Sequence, residues 1–321
     1  IRLHLDRTPN QLSFLLANDT DAFNQWDAGQ RLTTLAIHQR YDGQMEDSLV
    51  DLIVEAYSKI ASKGIKDLSF MALLMTLPDF DYVGSFIQSL DPVRLHEARE
   101  AIKTAIAQRL AATWLTLYQS NHGDESGRFD PEAIGRRRLK NLCLGYLGAV
   151  DTDETRTLCL EQYDHCHTMT DRIAALTTMI NSSHPATTDA LEHFYQTWKG
   201  EDLVVCKWFA LQASSSRPGT LSSVQTLMNH PAFDIRTPNH VRSVIGAFSQ
   251  SNPSNFHRVD GEGYRFLADQ VIALNAINPQ IASRMLTALT AWHRFDADRQ
   301  ILMRGALERV AETPSLSSDV Y

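Results

Sequence analysis

The sequence predicts an all-α protein, and three observations carry that reading. From Pro9 onward, apolar residues recur at three- and four-residue spacing, the period of helices with one buried face. Helix-opening pairs recur as well: Asp91-Pro92, Asp130-Pro131 and Asn278-Pro279 each set a polar cap before a proline suited to the first helical position. From about residue 150, helix pairs return roughly every 30–45 residues without strict identity, the rhythm of a repeat array. The expected fold is therefore an α-solenoid, a superhelix of antiparallel helix pairs of the armadillo or HEAT kind. One orphan β-strand is expected at its N-terminus.

That strand is IRLHLDR, where Ile1, Leu3 and Leu5 alternate with Arg2, His4 and Asp6. No later segment offers it a partner strand. Asp19 or Thr20 caps a helix through FNQWDAGQRLTTLAIHQRY. SLVDLIVEAYSKIA and KDLSFMALLMTL follow with helical spacing. Asp91-Pro92 opens one long helix expected to reach Asn121, and Asp130-Pro131 opens another through RRRLKNLCLGYLGAV. Further helices are expected to begin near Asp151, Thr170, Pro185, Asp202, Pro218, Pro238, Gly261, Pro279 and Asp296. Turn-forming stretches such as SSHPAT, SSSRPG and QSNPSN separate them. A fresh helix is expected after Pro314. Because the sequence opens on an unpaired strand at Ile1 and stops at Tyr321 inside that helix, a fragment of a longer protein is expected.

Composition narrows the function classes. The 321 residues are 43% hydrophobic, enough for a large core, and carry a net charge of −8 with histidines neutral. An acidic chain without a long basic run is a poor nucleic-acid ligand. No apolar stretch reaches the roughly 20 residues that span a bilayer, and no signal peptide opens the chain. The four cysteines form no CxxC. Cys143 and Cys206 lie in apolar surroundings and read as buried thiols, which suits a reducing cytoplasm.

Candidate chemistry is sparse. HEARE at 96–100 approaches the H-E-x-x-H pattern of zinc peptidases, but Glu100 stands where the second histidine belongs. It reads as a charged helix face. His165, Cys166 and His167 are consecutive and lack the one-turn spacing that suits a metal, so they read as a helix end before a cap at Thr168 or Thr170; zinc there is a weaker alternative. Arg136, Arg137, Arg138 and Lys140 read as partners for acidic residues of neighbouring repeats. Trp208, Phe209 and Phe248 read as core, and His257 as a structural histidine. In NPQIASRML (278–286), Asn278 caps and Pro279 starts a helix whose stripe is Ile281, Met285, Ala288 and Leu289. Gln280 and Arg284 then share the opposite face.

Several blocks, in order along nearly the whole chain, resemble one family. They are DAFNQWDAGQ (21–30), GRRRLKNLCLGYL (135–147), TMTDRIAAL (168–176), VVCKWFALQA (204–213), the long block 228–257 from MNHPAFDIRTPN to SNPSNFH, GYRFLADQVIALNAINPQIASRML (263–286) and RFDADRQILMRGALERV (294–310). Together they resemble the C-terminal helical domain of the bacterial type of aminopeptidase N, a zinc metallopeptidase family. The resemblance implies that residues 1–8 are the last strand of an upstream β-sandwich domain. Residues 9–321 would be the C-terminal α-solenoid domain, with its final helix cut short.

The resemblance also implies a function. The parent would be a cytoplasmic, zinc-dependent aminopeptidase that releases N-terminal amino acids from peptides. Its zinc ligands would lie outside this sequence, leaving no catalytic residue and no metal here. The helical domain would pack on the catalytic and β-sandwich domains, enclose the active-site chamber and line the substrate channel. The residues matching that lining are Gln280, Arg284 and Arg242. Read without the resemblance, the repeat pattern alone fits a free-standing helical-repeat scaffold that binds another protein.

Overall fold

Short polar side chains set where the helices of this chain begin. In the computed structural model, which describes residues 6–44, 47–123 and 128–321, the Thr8 hydroxyl accepts the Gln11 amide at 3.3 Å while the Gln11 side chain accepts the Thr8 amide at 2.9 Å. This reciprocal cap starts Pro9–Asn18. Asp21, Asp67, Asp130, Thr152, Thr168, Asn278 and Asp296 cap later helices in the same way, each with a side-chain oxygen on the third backbone amide. Such caps stabilise a helix by about 1 kcal/mol each. Among the described residues the chain is all-helical, and its one β feature is an isolated parallel bridge between Leu90 and Phe295. No described helix is long and apolar enough to cross a membrane.

The chain divides into two compact units. The first comprises Ile1–Phe86 and Glu97–His184, and the second Ile87–His96 and Pro185–Tyr321. In the first, Pro9–Asn18 packs on Ala22–Tyr41 and Ser48–Ser62, while Pro131–Leu147 packs on Leu68–Leu74, Ala111–Ser120 and Met169–Ile180. Its core centres on Trp114, whose ring stacks on Tyr146 at 4.3 Å between centroids and meets Tyr57 edge-on. The Tyr146 hydroxyl donates to the Met75 carbonyl at 2.8 Å, so this large side chain is buried without an unsatisfied oxygen. Lys140 and Asp171 form an ion pair at 2.9 Å with each side chain only 5% exposed. Asn141 donates to the other Asp171 oxygen, and Gln162 bridges the Asn141 side chain and the Asp171 carbonyl.

In the second unit, Glu262–Asn275 packs on Pro279–Thr290 and Ala297–Ala311, over a core of Phe209, Phe248, Phe256, Tyr264 and Leu267. The segment before Pro92 joins this unit through its backbone: Leu90 donates to the Arg294 carbonyl and accepts from Asp296. Beneath that contact the buried Arg299 pairs with Asp91 and Asp296, and its Nε donates to the His257 carbonyl at 2.9 Å.

Several sequence expectations change in detail. Residues 1–5 of the N-terminal strand lie outside the described residues, and Asp6 and Arg7 carry no regular structure. The helix expected from Asp91 to Asn121 is two helices, Pro92–Arg109 and Ala111–Ser120, parted where Leu110 leaves helical geometry at φ −110° and ψ 20°. The helix expected near Thr170 is capped by Thr168 and spans Met169–Ile180. The helix opening at Pro238 runs through Pro238–Val241, a π-helical turn Arg242–Gly246 and Ala247–Ser251. Past Ala311 the chain turns, with the Val320 and Tyr321 amides both on the Ser317 carbonyl. Cys143 is buried, but Cys206 is half-buried.

Candidate functional site

The second unit contains an open recess of about 330 Å³ lined by Arg242, Gly246, Gln250, Arg284, Met285 and Thr287. Two elements build it. One is the π-helical turn and the helix after it, which present Arg242, Gly246 and Gln250 at successive four-residue steps. A π turn inserts into an α-helix and is often found at functional sites. The other is Pro279–Thr290, started by Asn278, whose Oδ1 accepts the Ile281 amide at 3.2 Å. Its inner face, Ile281, Ala282, Met285 and Leu289, is buried. The two elements meet at Gly246, where a Cβ would lie in ordinary contact with Met285 Sδ at 3.5 Å and Cε at 3.6 Å. Met285 thus forms the floor, and the polar side chains beside it stand at the rim.

The electrostatics of the recess are one-sided. Its lining includes two guanidinium groups, one amide and one hydroxyl, and no carboxylate. The Arg242 Nη1 donates to the Asn239 side-chain oxygen at 2.9 Å, a neutral partner. No side chain among the described residues pairs with Arg284, which is exposed. The Thr287 hydroxyl donates back to the Arg284 carbonyl at 2.6 Å, leaving its oxygen lone pairs toward solvent. By contrast, Arg236, Arg258, Arg265 and Arg309 of the same unit each hold a carboxylate. A guanidinium without an acidic neighbour is a ready partner for an incoming carboxylate or peptide carbonyl.

Of the three residues singled out in the sequence, the structure brings Arg242 and Arg284 to one recess. Gln280 is exposed on the first turn of the same helix as Arg284 but is not part of the lining. Gln250 and Thr287 were not singled out. Their signal was present: Gln250 lies eight residues beyond Arg242, and Thr287 three beyond Arg284.

Of the metal-ligand candidates in the sequence, Glu100 and Cys166 have other partners. Glu100 of HEARE pairs with Arg99 at 3.0 Å and with Lys103 at 3.9 Å. His165 ends one helix, and Cys166 accepts from the Arg172 Nε. One tighter group was not anticipated: Asp202, Cys206 and His240 place their ligand atoms within 4.8 Å of one another. Its wiring argues against a metal. His240 Nδ1 accepts the Asp234 amide at 3.0 Å, so the ring proton sits on Nε2, which donates to Asp202 at 2.7 Å. A metal-bound histidine needs the reverse, a bare nitrogen at the metal and a donating nitrogen behind it. Burial also raises the Cys206 thiol above its usual range, away from the thiolate a metal requires. This group, as it is wired among the described residues, therefore does not fit a catalytic zinc.

Comparison with known proteins agrees with the helical architecture. Residues 9–321 match the family described as a domain of unknown function with ARM repeats, DUF3458_C. The chain is 34% identical over 324 residues to aminopeptidase N of Escherichia coli K12, covering 100% of this chain and 37% of that protein. Aminopeptidase N of Caulobacter vibrioides is also 34% identical, with the same coverage. The crystal structure of Legionella pneumophila aminopeptidase A, in complex with aspartic acid, superposes with a TM-score of 0.90 at 30% identity, covering 99% of this chain and 38% of that one. The chain thus spans little more than a third of the length of the relatives it matches.

Proposed function

The chain belongs to the DUF3458_C ARM-repeat family, and from that membership we propose that it is the C-terminal helical domain of a cytoplasmic, zinc-dependent aminopeptidase of the aminopeptidase N type. In this reading the whole enzyme releases N-terminal residues from peptides. The zinc and the groups that hold the substrate's amine belong to parts outside this chain. The helical domain packs on the catalytic and β-sandwich domains and closes the chamber in which the peptide lies.

The observation that carries the reading is similarity along the full chain to more than one aminopeptidase N, each far longer than this sequence. The recess adds a role for particular residues. Arg284 and Arg242, charged and without an acidic partner, are placed to contact peptide carbonyls or carboxylates as the substrate channel is lined. Gln280 stands on the same helix one turn earlier and contacts the peptide farther along the channel, or the wall that holds it.

Two measurements test this. The isolated chain, incubated with zinc and an alanyl chromogenic substrate, is expected to show no turnover; zinc-dependent hydrolysis above background would overturn the reading. In the intact enzyme, Arg284→Ala is expected to raise KM for peptides of three or more residues and to spare single-residue chromogenic substrates. Equal effects on both would remove Arg284 from the channel.

A further inference from the structure

We propose that the recess of Arg242 and Arg284 recognises the free C-terminal α-carboxylate of a short peptide, so that this domain selects substrates by their far end. The inference rests on the channel reading of the recess given above and adds the chemistry that the recess reads.

Three observations carry it. The chain is acidic, with 38 Asp and Glu against 30 Lys and Arg, yet the lining of this recess holds two arginines and no carboxylate. Neighbouring arginines of the unit are neutralised by acids, as in Arg265 with Glu262 and Arg236 with Asp234. Arg242 meets only the neutral Asn239 side chain, and Arg284 meets nothing among the described residues. Finally, the lining adds the Gln250 amide, whose N–H groups suit the same oxygens, beside Met285 and Gly246, while the Thr287 O–H is already given to the Arg284 carbonyl.

Peptide carbonyls would be served by one neutral donor each. Two guanidinium groups without a carboxylate partner, lining one small recess, suit a full negative charge, which a planar carboxylate can share between two forks. A peptide's terminal carboxyl is ionised at neutral pH, and its amide is not. Internal residues present no such charge, so the recess distinguishes the end of a chain from its middle.

The test uses the intact enzyme with di-, tri- and tetra-alanine, each as free acid and as C-terminal amide. The wild type is expected to prefer the acid by roughly tenfold in kcat/KM at the length that spans the site, in line with hydrogen bonds to a charged group. Arg284→Gln and, separately, Arg242→Gln are expected to bring that ratio to within about twofold. Arg284→Lys, which keeps the charge but loses the fork, should keep part of it. Thermal melts of all three should match the wild type, showing that the variants fold. If the glutamine variants weaken acid and amide peptides equally, the carboxylate assignment falls while the channel reading stands. If they change neither, both fall.

Discussion

Gly263→Ala is expected to destabilise the second unit, although alanine is the better helix former. Gly263 is the second residue of Glu262–Asn275 and lies against the preceding turn. A Cβ built there would sit 2.2 Å from the Phe256 carbonyl oxygen, 2.8 Å from its carbon and 2.9 Å from its Cα. These are backbone atoms and cannot rotate away. Nor can the turn yield easily. The Phe256 ring is 1% exposed and packs edge-on against Phe248 and Tyr264. The next residue, His257, is held by the Tyr264 hydroxyl at 2.8 Å and by Arg299 through its carbonyl. Overpacking of this kind costs about 1–3 kcal/mol or more. The helix-propensity gain from Gly to Ala, up to about 1 kcal/mol in a helix interior, is small near a first turn. A net loss of about 2 kcal/mol follows, equal to a fall in melting temperature of ~5 °C for a unit of this size. Gly305→Ala supplies the contrast: Gly305 is exposed within Ala297–Ala311, and a Cβ there meets nothing within 4 Å. That substitution should stabilise by about 0.5–1 kcal/mol. Paired thermal and denaturant melts decide the matter. A Gly263→Ala protein that melts at or above the wild-type temperature would refute the argument.

His257 is held to a pKa of about 3, chiefly by burial and then by the nearby Arg299 charge. Unfolded histidine binds its proton near pH 6.5, so stability is complete above that pH and falls as pH drops toward the folded value. The expected slope is about 1.4 kcal/mol per pH unit between roughly pH 6 and 4, and His257→Gln should remove that component from urea midpoints measured across the window. Asp171→Asn leaves the Lys140 ammonium buried without its counter-charge and should cost about 3–5 kcal/mol. Lys140→Met with Asp171→Leu should cost less than either single change, which a double-mutant cycle would reveal. Burial raises the thiols of Cys143 and Cys159 to about 12. Both should resist iodoacetamide at pH 8 until the protein unfolds, whereas the half-buried Cys166 and Cys206 label first, as peptide mass mapping would show.

What the sequence made legible, and what it did not, follows the range of the forces involved. Helix starts at Asp130, Asn278 and Asp296 were readable because a cap and the amide it bonds lie three residues apart. The aromatic core of Phe209 and Phe248 was readable from period alone. The break at Leu110 has no proline or glycine to announce it. Four residues on, Trp114 is wholly buried against Tyr146 and Tyr57, partners no local pattern identifies. The π turn was hidden for a different reason. Val241, Val244, Ile245 and Phe248 are all buried, and such a dense apolar run satisfies a regular helix and a widened one alike.

That hidden turn bears directly on the recess. Period assigns a residue to a face but cannot say what the face looks onto. On period alone Gln280 and Arg284 are equivalent, since they sit one turn apart on one side of one helix. The difference between them comes from the opposing element. The π turn places Gly246 against Met285, the neighbour of Arg284 in sequence, and Arg242 lies four residues before that glycine. The lining therefore gathers around residues 284–287 and leaves the first turn, with Gln280, outside. A residue's standing in this site depends on where the two helices touch. Gly246 is the residue to alter if that dependence is to be tested. A Cβ at 246 would lie in ordinary contact with Met285, so Gly246→Ala should leave stability within about 0.5 kcal/mol. Gly246→Leu would wedge the helices apart at the recess floor. It should lower kcat/KM for tri- and tetrapeptides in the intact enzyme more than Gln280→Ala does, and an effect confined to Gln280→Ala would show that the peptide runs along the first turn instead.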